Sequence, residues 1–413
     1  MRIAIVCTFY PPYAVGGDAI SAERWAHALA HRGHQVTVIH DTDAHRTLTR
    51  ERQPSVSCSR VAHPGITTVA LQSAWPRLGT LLVHQLGRPV LHRRALRRLL
   101  APGRFDVILY HNPSLIGGPE LLTWETGATT VYFAHEFWLV CPTHVLLRDG
   151  TRPCPAQACT TCTLRQRRPP QLWRQTSLID RAMAAMDVRI ALSEFARDTH
   201  RAFGMEAPME VLPNFVPDAL LATPAIGASP HERPYLFFAG RLERLKGLDD
   251  ILPIFASGDG PDLLIAGSGG HEPTLRRAAA GASRIRFLGQ LPQDAMQRFY
   301  AHARATVLPS ICYENFPLVL LEAMAAGSPV LARHLGPLPG IIATTGAGAT
   351  FRDASELVAL IAQLDRDAAW RGELAAAARV AAASTFSESH VVNQFLALVD
   401  AARARRGAGV GAA

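Results

Sequence analysis

Lysine is almost absent from this chain. Of its 42 basic residues, 41 are arginine and only Lys246 is lysine, in a sequence of 413 residues with a formal net charge of +8. The chain therefore uses arginine wherever any positive charge suffices, and a lysine that is kept points to a place that needs a compact ammonium group. We accordingly expect Lys246 to have a specific role.

Long apolar runs are also missing. No stretch approaches the ~20 apolar residues that a membrane-spanning helix needs. The apolar run at the N-terminus, from Ile3 to Cys7, is too short for a secretory signal. Apolar residues nonetheless make up 48% of the chain, which is enough to fill more than one core. We expect a globular protein with a cytoplasmic location.

Short β-branched or aromatic runs alternate with helical patterns along the chain, as is typical of parallel sheets built from βα units. This pattern predicts an α/β fold with two doubly wound domains. The predicted strands are Ile3–Cys7, Val36–Ile39, Val107–Leu109, Thr130–Phe133, Val188–Leu192, Tyr235–Phe238, Leu263–Ala266, Ile285–Leu288, Thr306–Leu308 and Pro329–Ala332.

A stretch with three prolines and no apolar periodicity separates the two series of strands. We therefore predict an N-terminal domain at residues 1–215, a linker at 216–234 and a C-terminal domain at 235–385. Residues 386–405 are predicted to form a helix that crosses back to the N-terminal domain. The remaining residues, 406–413, lack the bulk to pack and are predicted to be a disordered tail.

Two cations follow strand Tyr235–Phe238, in Gly240-Arg241 and Lys246-Gly247. Ligands of open parallel sheets bind at the carboxyl ends of strands, where helix N-termini favour anions. Arg241 and Lys246 are therefore candidates for holding a diphosphate. A surface loop with two incidental charges is the alternative.

Two glutamates flank the start of a helix after strand Thr306–Leu308. Pro317 suits the first turn of that helix and Gly327 its end, which places Glu314 in the preceding loop and Glu322 inside the helix. A carboxylate accepts two hydrogen bonds from the vicinal hydroxyls of a sugar or a ribose. Backbone N–H groups at residues 316–318 can add donors to a diphosphate.

The E-x7-E spacing of Glu314 and Glu322 resembles the donor-site signature of retaining glycosyltransferases of family 4, which have the GT-B fold. Three companion motifs are present in order, at Gly16-Gly17, Gly240-Arg241 with Lys246-Gly247, and Gly267-Ser268-Gly269. The resemblance covers nearly the whole chain. It implies two Rossmann-like domains that face each other across a cleft. It also implies transfer of a sugar from a UDP- or GDP-sugar to an acceptor hydroxyl, without a catalytic cofactor, in polysaccharide, glycolipid or natural-product biosynthesis.

The resemblance further implies roles for single residues. Arg241 and Lys246 would bind the donor diphosphate, Glu322 the ribose and Glu314 the hydroxyls of the transferred sugar. His135, in Ala134-His135-Glu136, would lie near the anomeric centre; a core or surface histidine is the alternative. The implied catalytic residues are thus His135, Glu314, Lys246 and Arg241. The implied donor-binding residues are Gly16, Gly17, Gly240, Arg241, Lys246, Gly267, Glu314, Asn315, Phe316, Pro317, Leu318 and Glu322.

Four of the seven cysteines crowd into residues 141–162, with the spacing C-x12-C-x4-C-x2-C. A loop of this kind can wrap one tetrahedral metal ion, and four protein ligands would make the ion structural rather than catalytic. In a reducing cytoplasm thiolate ligation is favoured over disulfides. Structural zinc, free thiols and a disulfide all stay open at this point. The candidate ligands are Cys141, Cys154, Cys159 and Cys162.

An arginine-rich helix is predicted near residues 88–101, with leucines on one face. It suits peripheral contact with an anionic membrane, and an ordinary solvated helix is the alternative. Two other function classes remain open. One is a non-catalytic protein that binds nucleotide-sugars on the same fold. The other is a zinc-containing nucleic-acid binder, but the charge is spread through both halves and no aromatic–basic motif occurs, so we expect no nucleic-acid partner.

Overall fold

The protein consists of two compact units. A computed structural model describes residues 1–49, 63–222, 227–256 and 258–410. The first unit contains Met1–Pro213 and the chain from Val392 onward, and the second contains Asn214–Val391. Among the helices in these ranges, none has both the length and the apolar character that crossing a membrane requires.

A parallel sheet forms the centre of the first unit. Over the described residues its seven strands have the order β3-β2-β1-β4-β5-β8-β9, and β6 and β7 form a separate antiparallel pair. The strand order reverses between β1 and β4, and such a reversal opens a crevice for ligands at the carboxyl ends of the strands. The strands are β1 (Arg2–Cys7), β2 (Gln35–Asp41), β3 (Ile66–Leu71), β4 (Val107–Asn112), β5 (Thr129–Ala134), β6 (Leu147–Arg148), β7 (Arg152–Pro153), β8 (Val188–Ala191) and β9 (Glu210–Val211).

The second unit repeats this plan with a six-stranded parallel sheet in the order β12-β11-β10-β13-β14-β15, counted over the described ranges. Here the order reverses between β10 and β13, so the corresponding crevice lies at their carboxyl ends. Its strands are β10 (Tyr235–Ala239), β11 (Asp262–Ala266), β12 (Ile285–Gly289), β13 (Ala305–Leu308), β14 (Val330–Arg333) and β15 (Gly348–Phe351).

Helices cover the sheets, and several have clear start and stop residues. Ser193 accepts a hydrogen bond from the Ala196 N–H at the start of one helix, and Asp353 does the same for Glu356 in another. The helices are α1 (Gly17–His31), α2 (Thr42–Thr49), α3 (Pro76–Leu86), α4 (Arg93–Leu99), α5 (Gly118–Leu122), α6 (Cys159–Arg165), α7 (Leu178–Ala184), α8 (Glu194–Ala202), α9 (Asp218–Ala222), α10 (Leu248–Ile251), α11 (Glu272–Ala278), α12 (Gln293–His302), α13 (Leu318–Ala326), α14 (Leu338–Thr345), α15 (Ala354–Arg366), α16 (Ala368–Ala383) and α17 (Glu388–Val410).

All ten predicted strands are confirmed within a residue or a few at each end. The strands of the two main sheets that the sequence pattern missed are β3, β9 and β15, and each lies at the edge of its sheet. An edge strand is covered less completely, so it lacks the continuous apolar run that marks a central strand. In β3, for example, both threonines and Ala70 are exposed.

The last helix, α17, packs on the first unit. The ring of Phe395 lies edge-on to Trp25 at 4.7 Å between centroids, and Val392, Val399 and Ala402 are buried at helical spacing. The helix extends to Val410, so the predicted disordered tail is wrong for residues 406–410. Arg406 bonds the Asp187 carboxylate at 2.9 Å and ties this end of the helix to the unit. Residues 411–413 lie outside the described residues. The predicted linker likewise contains a short helix, α9.

Candidate functional site

Two glycine turns meet at the carboxyl ends of β10 and β11. Gly267 has a φ of 125°, and a Cβ atom on it would overlap the carbonyl oxygen of Gly240. Only glycine allows this approach. The Leu242 N–H donates to the Ser268 carbonyl at 2.9 Å and completes the junction. Gly240 and Gly267 therefore fix the loop that carries Arg241, whose side chain is exposed.

Lys246 ends a short 3-10 turn, Arg244–Lys246, and Gly247 follows with a φ of 71°. A side chain at Gly247 would overlap the Pro309 carbonyl oxygen. The Ile311 N–H donates to the Leu245 carbonyl at 2.9 Å. These contacts pack the lysine turn onto the segment after β13, which is the other side of the crevice between β10 and β13.

The central contact of the second unit is an ion pair. Lys246 Nζ donates to Glu314 Oε1 at 2.6 Å, and Ser310 Oγ donates to the same oxygen at 2.7 Å. The two charged side chains are 24% and 17% exposed, so a ligand can still reach them. In the described part of the chain, no hydrogen bond is formed by Glu314 Oε2.

Both members of this pair are charged near neutral pH. Burial alone would lower the pKa of Lys246, but the Glu314 carboxylate outweighs it and raises that pKa. Burial would likewise raise the pKa of Glu314, but Lys246 and the Ser310 hydroxyl lower it. The pair therefore presents an ammonium group and a carboxylate side by side at the switch point.

The second glutamate lies on α13. Pro317 is the residue before this helix rather than part of its first turn, and Gly327 ends it with a φ of 74°. Glu322 is the fifth residue of α13, and its Oε2 accepts a hydrogen bond from the Tyr300 hydroxyl at 3.1 Å. Glu314 lies in the preceding loop, as the sequence predicts.

Contacts from two distant segments hold the loop before α13 in place. Asn214 Nδ2 donates to the Phe316 carbonyl at 3.1 Å, and the Phe316 ring packs edge-on against Phe386 at 5.3 Å. Asn315 and Phe316 are both buried. Of the implied donor-binding residues in this loop, these two thus offer a ligand backbone groups rather than side chains. The N–H of Leu318, at the first position of α13, has no partner within the helix.

In the first unit, His135 lies directly after β5 and belongs to a pair of histidines. Its Nε2 is 2.8 Å from Nδ1 of His111, which stacks on Phe133 with 4.4 Å between ring centroids. Burial lowers the pKa of His135 to about 4 and that of His111 well below its usual range. Both imidazoles are therefore neutral at neutral pH, and one proton lies between them.

A second group beside His135 contains residues to which the sequence analysis gave no role. Asn112 Nδ2 donates to Asp18 at 2.6 Å and is 3.4 Å from Glu136 Oε1. His144 Nδ1 is 2.5 Å from the same Glu136 oxygen. Asp18 directly follows Gly16 and Gly17, where Gly17 begins α1 and Gly16 has a φ of 107°. Asn112 ends β4, Asp18 lies at the start of α1 and Glu136 follows β5, but His144 lies in a loop and no local sequence pattern joins the group.

The Asp18 carboxyl has a raised pKa. Burial and the nearby Glu136 raise it to about 6, from an ordinary value of 3.8. Between about pH 4 and pH 6 the folded protein then holds a proton that the unfolded chain has lost, so stability increases as the pH falls through 6. Above pH 7 the ionised form costs free energy. Asp18→Asn is therefore expected to raise the free energy of unfolding at pH 8 by about 1–2 kcal/mol.

Chemical denaturation of both proteins at pH 5 and pH 8 checks this expectation. The stabilisation by Asp18→Asn should be larger at pH 8 than at pH 5. Equal or opposite effects at the two pH values would contradict the raised pKa.

The four clustered cysteines lie around one cavity. Cys141, Cys154, Cys159 and Cys162 all line a space of about 20 Å³, and all four are free thiols. In the described ranges they do not form a group of three sulfur atoms within 4.8 Å of one another. The structure thus brings the predicted ligands together without closing them to bonding distances.

In the described part of the chain, one set of potential metal ligands has its ligand atoms within 4.8 Å of one another: Asp41, Asp43 and His92. Hydrogen bonds and ion pairs connect these side chains, and Ser73 joins them. His92 Nε2 is 3.1 Å from Asp43, which also accepts a 2.5 Å hydrogen bond from the Ser73 hydroxyl. The group ties α2 to the segments that follow β3 and precede α4, and that network accounts for its burial.

The chain matches two protein-family models, one for each half of the sequence. Residues 15–220 match the family described as Glycosyltransferase Family 4, and residues 222–381 match Glycosyl transferases group 1. A phosphatidyl-myo-inositol mannosyltransferase of Mycobacterium leprae is 28% identical over 348 residues, which cover 81% of this chain and 79% of that protein.

Solved structures show the same fold. Sucrose-phosphate synthase from Thermosynechococcus elongatus superposes with a TM-score of 0.72 at 19% identity, over 98% of this chain and all of that one. HepE of Anabaena, solved in complex with UDP-glucose, gives a TM-score of 0.66 at 17% identity, over 97% of this chain and 100% of that one. At these identities the likeness establishes the architecture alone.

Proposed function

The chain belongs to the family 4 glycosyltransferases, the glycosyl transferases group 1, and from this premise we propose that it moves a sugar from a nucleotide diphosphate sugar to an acceptor hydroxyl with retention of the anomeric configuration. Its two parallel-sheet units have the GT-B fold. The observation that carries the proposal is the ion pair of Lys246 and Glu314 at the switch point of the second unit. It combines a cation for the diphosphate with a carboxylate for sugar hydroxyls.

Lys246 is suited to the leaving diphosphate. Its ammonium group has three donors, and the described residues occupy one of them through Glu314. Arg241 is exposed on the preceding turn and adds a second cation. Positive charge that is already in position stabilises the negative charge that develops on the leaving oxygen. No metal ion or other cofactor is required for this task.

Glu314 and Glu322 are suited to the two hydroxylated parts of the donor. Glu314 keeps Oε1 on Lys246 and Ser310, which leaves Oε2 to accept from the transferred sugar. Glu322 accepts from Tyr300 and has further lone pairs for ribose hydroxyls. The N–H of Leu318 at the start of α13 supplies a backbone donor to a phosphate oxygen.

The reaction we propose proceeds on one face of the sugar. The bond between the anomeric carbon and the diphosphate oxygen breaks, and the acceptor oxygen forms the new bond on the same face. The acceptor proton passes to the leaving phosphate oxygen, so no protein carboxylate is needed as a nucleophile or as a general base. His135 contributes as a neutral hydrogen-bonding group for a substrate hydroxyl, because its pKa of about 4 leaves it uncharged at neutral pH.

The stereochemistry tests this proposal. After transfer from an α-linked UDP- or GDP-sugar, the one-bond carbon–proton coupling of the new anomeric centre in the NMR spectrum should be that of an α-linkage. A β-linked product would contradict the retaining mechanism but not the transferase activity. UDP-glucose, with which HepE was solved in complex, is the first donor to try, and GDP-mannose is the second.

The two alternative classes are less consistent with the chain. A non-catalytic relative has no need to keep a charged Lys246–Glu314 pair at a strand crevice, and family membership favours an enzyme. A nucleic-acid binder needs a basic stripe with aromatic side chains for bases. No aromatic–basic motif of that kind occurs in the sequence.

A surface on the first unit gives information about the class of acceptor. We call it the apolar–arginine surface, and it consists of α3, the residue before it and α4. The stretch 72–105 contains seven arginines and no acidic residue. The predicted arginine helix is shorter than residues 88–101, because α4 covers Arg93–Leu99. Arg93 and Arg97 both lie over the Trp124 ring, while Arg94 and Arg98 are exposed.

Apolar side chains extend the apolar–arginine surface. At 100° per residue, Leu78, Leu81 and Leu86 fall on one face of α3, and Trp75 directly precedes the helix. Together with Leu91 they are between 39% and 68% exposed. Large exposed apolar side chains among cations suit the interface of an anionic bilayer, where tryptophan is favoured. We infer that the enzyme binds the inner, cytoplasmic face of a membrane through this surface and uses a lipid-linked acceptor.

Sedimentation with vesicles tests the membrane contact. Trp75→Ser/Leu78→Ser/Leu81→Ser is expected to weaken binding to phosphatidylcholine–phosphatidylglycerol vesicles by at least about tenfold, since each buried apolar side chain contributes about 1.5–3 kcal/mol. Val358→Ser/Val380→Ser removes two exposed apolar side chains from the second unit and should bind like the wild type.

Two outcomes would overturn the membrane proposal. One is unchanged vesicle binding by the triple variant. The other is a concentration-dependent dimer that the same variant abolishes, because the surface would then belong to a second copy of the chain.

A further inference from the structure

The cysteine loop is the part of the first unit that glycosyl transfer does not account for. It follows Glu136 and contains β6, β7 and α6, between Cys141 and Cys162. Cys141 follows a 3-10 turn, Cys154 follows β7, and Cys159 and Cys162 lie on α6, yet all four line the same cavity. Four thiols from three local structures thus share one small space.

We propose that the loop binds one structural zinc ion through Cys141, Cys154, Cys159 and Cys162. A set of four thiolates is the donor set of structural tetrahedral zinc sites. The cavity of about 20 Å³ has room for one ion. A contraction of the loop is needed to bring the four sulfur atoms to the zinc–sulfur distance of about 2.3 Å.

Hydrogen bonds to sulfur support the site. The Asp149 N–H lies 3.3 Å from Cys162 Sγ, and Gln166 Nε2 donates to the same sulfur at 3.2 Å. Donors of this kind stabilise a thiolate and orient it toward a metal ion. Cysteine binds zinc as the thiolate, so zinc binding would release protons and its affinity would fall at acidic pH.

The backbone of the loop also indicates an outside constraint. In the described ranges every non-glycine residue with a positive φ lies between residues 144 and 167. They are His144, Leu146, Asp149 and Arg167, with φ values from 50° to 70°. A bulky leucine rarely adopts this conformation unless its surroundings hold it there. A metal ion at the centre of the loop would provide such a constraint.

The ion would influence the group around His135 indirectly, through the backbone of the loop. The Cys141 N–H donates to the Phe137 carbonyl at 2.7 Å, and the side chain of His144, from the same turn, bonds Glu136. A loop held by zinc keeps His144 on the Glu136 carboxylate. Cys141 and its three partners are thus positioning residues and do not touch substrate.

Metal analysis of the full chain, purified under reducing conditions without chelator, tests the proposal. We expect about one zinc ion per chain by mass spectrometry, and no bound zinc in Cys159→Ser/Cys162→Ser. The control Cys58→Ser changes a cysteine outside the loop and outside the described residues, and it should keep the zinc. Replacement of the zinc by cobalt should give the visible absorption of a tetrahedral thiolate site.

The wild-type protein alone can decide the question if the double variant does not fold. Removal of zinc with a thiol reagent and a chelator should lower the melting temperature and expose the loop to protease, and added zinc should reverse both. Full occupancy in the double variant, iron with sulfide in place of zinc, a disulfide among the four cysteines, or a folded wild type that does not take up zinc would each overturn the proposal. None of these results would affect the transferase assignment, which rests on the second unit.

Discussion

Replacing Lys246 with methionine is expected to lower kcat for sugar transfer by about 10²–10³-fold, the typical loss when one positioned electrostatic partner of a developing anion is removed. Lys246 is the one lysine of the chain, and its Nζ is bonded to Glu314 at 2.6 Å at the end of the crevice between β10 and β13. Without the ammonium group the leaving diphosphate loses its nearest compact cation. Arg244→Met, on the same short turn but exposed, is the matched control and should retain near-normal turnover.

The ion pair adds a complication to this experiment and also a remedy. Loss of Lys246 leaves the largely buried Glu314 carboxylate without its partner, which should cost about 1–3 kcal/mol of stability. The double variant Lys246→Met/Glu314→Gln removes that unpaired charge and should recover stability without recovering activity. Steady-state kinetics and thermal melting of the three proteins separate the two effects. Wild-type turnover in folded Lys246→Met would contradict the assigned role.

Replacing His135 with alanine is expected to lower kcat by about 10²-fold, while His135→Gln should recover part of the loss. The amide of glutamine can occupy the position of Nε2, which lies 2.8 Å from His111. Because burial lowers the pKa of His135 to about 4, the imidazole is neutral from pH 5.5 upward and acts through hydrogen bonds rather than as an acid. The measurement is the pH dependence of kcat for wild type and both variants.

The predicted outcome for His135 is specific. Between pH 5.5 and 7.5, kcat of the wild type and kcat of His135→Gln should depend on pH in the same way. A step in the wild-type profile that His135→Gln lacks would mean that His135 titrates near neutrality and donates a proton in the reaction.

The sequence was most informative where one segment carries the whole signal. The E-x7-E spacing, Pro317 and Gly327 lie within about four helical turns, so local rules place Glu314 in the loop and Glu322 in α13. The strand–turn–helix positions of Arg241 and Lys246 are local in the same sense. The central strands were predictable because burial on both faces makes them continuously apolar.

The contacts between distant segments were not predictable in this way. Lys246 and Glu314 are 68 residues apart, and their bond depends on Gly247 packing onto the Pro309 carbonyl. Only the sheet order β1-β4-β5 brings together Asp18 at the start of α1, Asn112 at the end of β4 and Glu136 after β5. No spacing rule within one chain segment reveals such a group.

The cysteines lie between these cases. Their clustering in the sequence predicted a common site, and the structure gathers them around one cavity. Whether the sulfur atoms close on an ion depends on the ion itself, since the ligands are thiolates and their negative charges repel one another until a cation neutralises them. Neither spacing nor the free loop determines that step.

Incubation of the purified enzyme with a panel of nucleotide-sugars, read by mass spectrometry, tests the transferase proposal at its donor step. We expect one UDP- or GDP-sugar to be slowly hydrolysed to the nucleotide diphosphate and free sugar without acceptor. Lys246→Met/Glu314→Gln should lose this turnover, and Arg244→Met should keep it. Equal hydrolysis by the wild type and the double variant, or no turnover of any donor by the folded wild type, would contradict the proposal.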